Sequence, residues 1–127
     1  MREFIYLAVV YNGNLLVIRR RGQWSLPGRR KRVGESGIDC IFDEIIKEVP
    51  GLELKDLRPL GKFKGRNFFQ WSPLRDKVYL ARVKKQFFNN CLKNDNQMEW
   101  IKDLNGKSKI SKPTRRIFWI LKNEGCL

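Results

Sequence analysis

Between Leu26 and Gly51 the chain is punctuated so heavily that few local structures are open to it. Pro27-Gly28 is a turn signal. Four cations follow in a row, Arg29-Arg30-Lys31-Arg32, and Gly34 marks a second turn. Ser36 is a good helix N-cap, and Asp39, three residues on, completes a shortened capping box. From there Ile38, Ile41, Phe42, Ile45 and Val49 recur at helical spacing, which predicts one apolar face. Glu44, Lys47 and Glu48 lie together on another side, and Pro50-Gly51 stops the helix. A loop that turns twice and then enters a capped helix is the expected centre of the molecule.

The remaining segments read as scaffold. Phe4–Tyr11 is a short run of β-formers and is predicted to be a mostly buried strand. Asn12-Gly13 is a hairpin signal, with Leu15–Ile18 as the return strand. Arg19-Arg20-Arg21 then has to reach solvent or a bound anion. Trp24-Ser25-Leu26 is a short extended piece. Leu57–Phe63, Asn67–Trp71 and Lys77–Val83 are strand candidates, with Ser72–Asp76 as a hairpin loop. Residues 84–96 are polar and Asn-rich, with Phe87-Phe88 as an apolar plug. Gln97–Ile101 is one more strand, and Asp103–Gly106 is a turn or a single helical turn. Pro113 to Asn123 is a second helix, Pro113 suiting its first turn. Its buried face is Ile117, Ile120 and Leu121, with Phe118 or Trp119 beside it. The pattern is α+β, a sheet packed between helices, and 127 residues suit a single domain spanning 1–127.

Composition removes several chemistries. The chain has no histidine, so Ser-His and Cys-His mechanisms and His-ligated metals are excluded. Its three cysteines, Cys40, Cys91 and Cys126, are odd in number and widely spaced, which argues against zinc and disulfide frameworks. Reduced thiols and a cytoplasmic location are expected. No apolar run is long enough for a membrane span, and the opening apolar run reads as a strand rather than a signal peptide. With 27 Lys and Arg against 13 Asp and Glu, the net charge is +14. A field of that sign draws phosphates and suits a nucleotide, another phosphorylated small molecule or RNA; the plain alternative is a soluble basic surface with no partner, and no membrane partner is expected.

Glu44 and Glu48 are four residues apart and project from one helix face, where they repel by roughly a few tenths of a kcal/mol. A divalent cation reverses that sign, and Mg²⁺ typically takes one or two carboxylates plus substrate phosphates. Glu35 reaches the same point if the loop folds back. The free backbone N–H groups at the helix start and the four cations before it can cradle a pyrophosphate. The plain alternative is a solvated helix face with Asp43 paired to Lys47.

The order Trp24-x-Leu26-Pro27-Gly28, Gly34-Glu35-Ser36, a helix with Glu44 and Glu48, then Gly51-Leu52 resembles the box of the Nudix hydrolase superfamily, MutT-like in type. Glu99-Trp100 and Pro113-Thr114 fit the same order, so the likeness runs along nearly the whole chain. The resemblance implies an α/β/α sandwich with a mixed sheet, and Mg²⁺- or Mn²⁺-dependent hydrolysis of a diphosphate linked to another group. The family pattern is Gly, five residues, Glu, seven residues, Arg-Glu, an apolar residue, any residue, Glu-Glu, any residue, Gly. Its first Gly falls on Arg29 and its first Glu on Glu35. Its Arg-Glu falls on Asp43-Glu44 and its Glu-Glu on Lys47-Glu48, with its last Gly on Pro50 and Gly51 one residue late. By resemblance, Glu35, Glu44 and Glu48 are the catalytic, metal-binding carboxylates. Arg29, Arg30, Lys31, Arg32 and Lys47 are placed to meet phosphates, and Glu99 is a candidate general base outside the box.

The departures have physical content. Asp43 cannot donate the hydrogen bonds of the arginine that orients the family's loop. Lys47 puts a cation among the metal ligands. Arg29 strains the loop if its position needs positive φ. Two functions stay open. One is a hydrolase cleaving a pyrophosphate bond in a nucleoside diphosphate derivative. The other is a catalytically impaired domain of this fold that binds nucleotide or RNA through its basic surface, helped by Trp24, Phe68, Phe69 and Trp71. For Trp24 and at least one of the two Phe, core packing is the preferred reading.

Overall fold

Alternation along one strand divides the molecule into two cores. In a computed structural model, which describes residues 4–49, 51–60, 77–91, 97–105 and 109–127 and only the backbone of Glu44, Glu48, Asn90 and Cys91, strand β1 is Phe4–Tyr11. Ile5, Leu7 and Val9 face one way, into a cluster with Cys40, Ile41, Ile45 and Val49. Tyr6, Ala8 and Val10 face the other way and meet Ile117, Phe118 and Leu121. A strand covered on both faces has to be apolar throughout. That is why Phe4–Tyr11 carries no charge.

The hairpin to β2 (Asn14–Arg20) turns where expected. Asn12 and Gly13 both have positive φ, 47° and 80°, as a turn matched to the strand twist requires. Five more strands follow: β3 (Gln23–Ser25), β4 (Gly28–Arg30), β5 (Lys55–Leu60), β6 (Lys77–Arg82) and β7 (Met98–Ile101). The main path is β3-β2-β1-β6-β5, with β4 paired to β1 and β7 to β2. β1 and β6 are parallel while the other named strand pairs are antiparallel, so the sheet is mixed. The expected strand at Asn67–Trp71 and loop at Ser72–Asp76 fall outside the described residues, as does the end of Leu57–Phe63.

The predicted first helix is real but irregular. α1 (Gly37–Cys40) runs on as a π-helical segment, Ile41–Ile45, and a 3₁₀ turn, Ile46–Glu48. This corrects the expected apolar face. Ile41, Ile45 and Val49 are buried and Cys40 joins them, but Ile38 is 39% and Phe42 53% exposed. The wider π turns change the phase of the helix. Ile41, Ile45 and Val49, every fourth residue, are buried and Phe42 falls off that line, while Ile38 lies in α1, before the π-helical run.

On the other face lies the last helix. A further helix, α2 (Lys85–Cys91), precedes it in the chain and sits where only a polar stretch was expected. The apolar plug is its anchor: Phe87 is buried and Phe88 stacks on Tyr11 at 4.6 Å between centroids. The closing helix α3 is Lys112–Asn123, capped by Ser111, with Pro113 in its first turn. Thr114, Ile117, Phe118 and Leu121 are its buried side; Trp119 faces outward and Ile120 is half-buried. With α1 and its continuation on one face and α3 on the other, the architecture is the expected α/β/α sandwich. Among the described residues no helix is long and apolar enough to cross a membrane.

Candidate functional site

The loop between β3 and α1 is fastened at several points. The Leu7 N–H donates to the Pro27 carbonyl at 2.8 Å. The buried Leu26 N–H donates to Thr114 Oγ1 at 3.0 Å, tying the loop's entry to α3. Gly28 lies against β1 so closely that a Cβ there would sit 2.5 Å from the Ile5 carbonyl oxygen. Arg20 Nη1 donates to the Gly28 carbonyl at 2.6 Å. Arg20 thus points at backbone, whereas the sequence reading sent all three arginines to solvent or an anion. Partial burial pulls its pKa down, Tyr6 opposes this and Arg21 adds to it; an arginine stays charged regardless.

The second turn is held by Glu35. Gly34 takes φ 81°, a left-handed backbone that favours glycine. Glu35 N–H then donates to the Arg32 carbonyl at 3.1 Å. Its carboxylate closes the loop from both oxygens. Oε1 accepts from the Arg32 N–H at 2.9 Å and Oε2 from Arg29 Nη2 at 2.8 Å. The Arg29 and Glu35 side chains are 17% and 10% exposed. Arg29 Nη1 also donates to the Arg30 carbonyl at 2.7 Å. The Arg29 side-chain hydrogen bond is the main reason that the Glu35 pKa is lowered, followed by the Arg32 backbone bond; burial opposes them and the charges of Arg29 and Arg32 add to them. Arg29 lies in β4 and is not among the residues with positive φ, so the strain expected of an arginine in a glycine position does not arise.

The helix starts as its sequence requires. Asp39 N–H donates to Ser36 Oγ at 3.0 Å and Ser36 N–H to Asp39 Oδ2 at 3.4 Å, a reciprocal capping box. At Gly37 a Cβ would meet the Tyr79 ring at 2.8 Å, so the first turn packs directly on β6. Asp43 and Lys47 are exposed, and Glu44 and Glu48 each stand between an exposed residue and a buried one, Ile45 or Val49. Arg30 and Arg32 are exposed and Lys31 is half-buried.

One expected participant is placed elsewhere, and Trp24 packs as preferred. Glu99 pairs with Val17 across β7 and β2, and Val17 belongs to the face covered by α3. Cross-strand partners share a face, so Glu99 lies on the side of the sheet opposite the helix carrying Glu44 and Glu48. Trp24 packs with the α3-side core; its N–H donates to the Lys109 carbonyl at 2.8 Å and its carbonyl accepts from Ser111 at 2.9 Å. The Arg19 guanidinium carbon sits 5.9 Å from its ring centroid. Trp24 is therefore largely a packing residue, while Phe68, Phe69 and Trp71 lie outside the described residues. Sequence reasoning missed the Arg29–Glu35 pair, the Arg20 strut and the Thr114 tie. A basic run beside a glutamate was the only signal for the first, and the other two had none.

No cluster of three or more Cys, Asp or Glu side chains suited to a metal occurs among the described residues, which exclude the Glu44 and Glu48 side chains. The donor chemistry still suits a hard cation. Glu35 accepts one hydrogen bond on each carboxylate oxygen, and two further carboxylate residues, Glu44 and Glu48, follow on one helical segment. That is the number Mg²⁺ or Mn²⁺ uses when substrate phosphates complete its shell.

A mixed sheet between helices, with a braced loop running into a carboxylate-bearing helix, defines a class. The chain has the Nudix fold. A mutT/nudix family protein from Listeria innocua superposes with a TM-score of 0.61 at 15% identity, over 98% of this chain and 95% of the other. A UDP-X diphosphatase gives 0.63 at 20% identity, over 99% of this chain and 64% of that one. An ADP-ribose pyrophosphatase from Streptococcus suis gives 0.60 at 15% identity, over 98% and 91%. No model of a protein family matches the sequence, and no curated protein sequence matches it.

Proposed function

We propose that this protein is a hydrolase that cleaves a pyrophosphate bond in a nucleoside diphosphate derivative, with Mg²⁺ or Mn²⁺ held by Glu44 and Glu48. The observation that carries this reading is the Arg29–Glu35 pair. Asp43 stands where the family's loop-orienting arginine is expected, and here the loop is braced from its other end by Arg29. In this role Arg29 and Glu35 position the loop, rather than meeting phosphate and metal. Arg30, Lys31 and Arg32 neutralise the substrate's phosphates, and Lys47 contacts a phosphate oxygen from the helix. Glu44 serves as general base; Glu99, across the sheet, does not. A cation held by Glu44 and Glu48 would supply polarisation of a phosphoryl oxygen and a more acidic water. The π-helical segment containing Glu44 supports the assignment, since such segments gather at functional sites. So do the diphosphate substrates of two proteins of like fold.

The test is incubation with Mg²⁺ or Mn²⁺ and ADP-ribose, a UDP-sugar and nucleoside triphosphates, with Glu48→Gln as control. Release of a nucleoside monophosphate by the wild type alone is the expected result. Release no faster than from Glu48→Gln overturns the proposal. The exposed Lys47 on the ligand-bearing segment favours the second reading, a domain that binds the nucleotide without cleaving it. Saturable ADP-ribose binding without turnover would establish that one.

A further inference from the structure

The outer surface of α3 is unlike the rest of the helix. Lys112, Arg116, Trp119 and Asn123 are all exposed, and their spacing of four, three and four residues aligns them on one stripe. The stripe points away from the core side formed by Thr114, Ile117, Phe118 and Leu121. Lys122 flanks it, 5.8 Å from the Phe118 ring centroid. No carboxylate interrupts α3 from Lys112 to Asn123. Trp119 is 53% exposed, yet its ring is held edge-on against Phe118 at 5.7 Å. This exposed indole shares its helix face with cations, and nothing in the hydrolase site uses it.

We propose that this stripe docks single-stranded nucleic acid, with Trp119 stacking on a base and Lys112, Arg116 and Lys122 meeting phosphates. Charge decides the occupant. A chain of net charge +14 repels a second copy of itself through a helix that carries cations and no carboxylate and attracts a polyanion. A lipid surface fits less well, because a helix lying in a membrane buries an apolar face and the apolar face of α3 already packs on the sheet. One aromatic ring with surrounding cations is, by contrast, what a single strand needs, since stacking accepts any base. This surface is separate from the loop and helix proposed for hydrolysis.

Fluorescence anisotropy with a labelled oligouridylate of about 20 nucleotides, longer than the roughly 4–16 that one single-strand site covers, tests the proposal. Wild-type protein should bind with affinity that falls as salt rises. Trp119→Ala should weaken binding by about 5–150-fold, the range of one lost base stack, and Trp119→Phe should restore most of it. Lys112→Gln with Lys122→Gln should reduce the salt slope by about 1.4. Glu48→Gln, which reports on hydrolysis alone, should bind like the wild type. Absence of binding, an unchanged affinity in Trp119→Ala, or equal losses in the Ala and Phe variants overturn the proposal. So does tighter binding to phosphatidylserine vesicles than to the oligonucleotide, self-association lost on Trp119→Ala, or loss of binding in Glu48→Gln.

Discussion

Arg29 Nη2 and Glu35 Oε2 lie 2.8 Å apart across the turn that leads into α1. The other oxygen of the same carboxylate accepts the Arg32 N–H. One side chain therefore joins the strand before the turn to the backbone within it. The loop is thus braced from its strand side, and Asp43 on the helix is exposed.

Removing either partner should loosen the loop, and the double variant Arg29→Gln/Glu35→Gln should be no worse than the poorer single variant, because the two act as a unit. Thermal melts of the three proteins measure this coupling. The pair also sets a pH dependence. Glu35 has a folded pKa below its ordinary value of 4.5, so on acidification the unfolded chain takes up the proton first. The stabilisation is complete above about 4.5 and is lost as pH falls through the folded pKa. Glu35→Gln should flatten the melting temperature against pH in that acid window; a slope equal to the wild type's would exclude the pair as its source.

Thr114 ties α3 to the loop by accepting the buried Leu26 N–H, and it also accepts from Ser111 Oγ at 2.7 Å. Thr114→Val keeps the shape and leaves that N–H without a partner, a loss of about 1–3 kcal/mol. Thr114→Ser keeps the hydroxyl and should be milder. Urea unfolding of the two variants compares them directly.

Gly28→Ala should destabilise by about 1–3 kcal/mol, because the obstructing atom is a main-chain oxygen of β1 and cannot swing aside. Gly13→Ala makes a useful contrast. Nothing stands near its Cβ, so its cost comes from φ alone. If Gly28→Ala melts with the wild type, the close approach of β4 to β1 is refuted.

Lys47→Glu adds a carboxylate beside Glu48 and removes a cation. Mn²⁺ affinity should rise by on the order of tenfold, as metal sites tighten with ligand charge. Titration calorimetry reads this without any substrate, and an unchanged Kd would place Lys47 away from the ion.

The strands and caps were legible wherever a rule acts over a few residues. Phe4–Tyr11 and Asn12-Gly13 specify a buried strand and its turn locally, and Ser36 with Asp39 specifies a helix start. The apolar face of that helix was read only in part, because a 3.6-residue period does not anticipate a π-helical run. α2 was missed because its Asn-rich sequence has low helix propensity and its anchors, Tyr11 and the core, are remote in the chain.

For the central loop, the sequence by itself determined that Pro27-Gly28 and Gly34 would turn the chain and that Glu44 and Glu48 would follow four residues apart in the helical stretch after it. Tertiary structure decided what those turns are fastened to. Arg29 meets Glu35, Arg20 meets the Gly28 carbonyl and Thr114 meets Leu26, from positions between six and 88 residues apart. It also decided that Glu99 lies across the sheet from the helix, since that depends on the register of β7 against β2. Hydrogen bonds and register between distant segments follow from which surfaces the core brings together, and no short stretch of sequence contains that information.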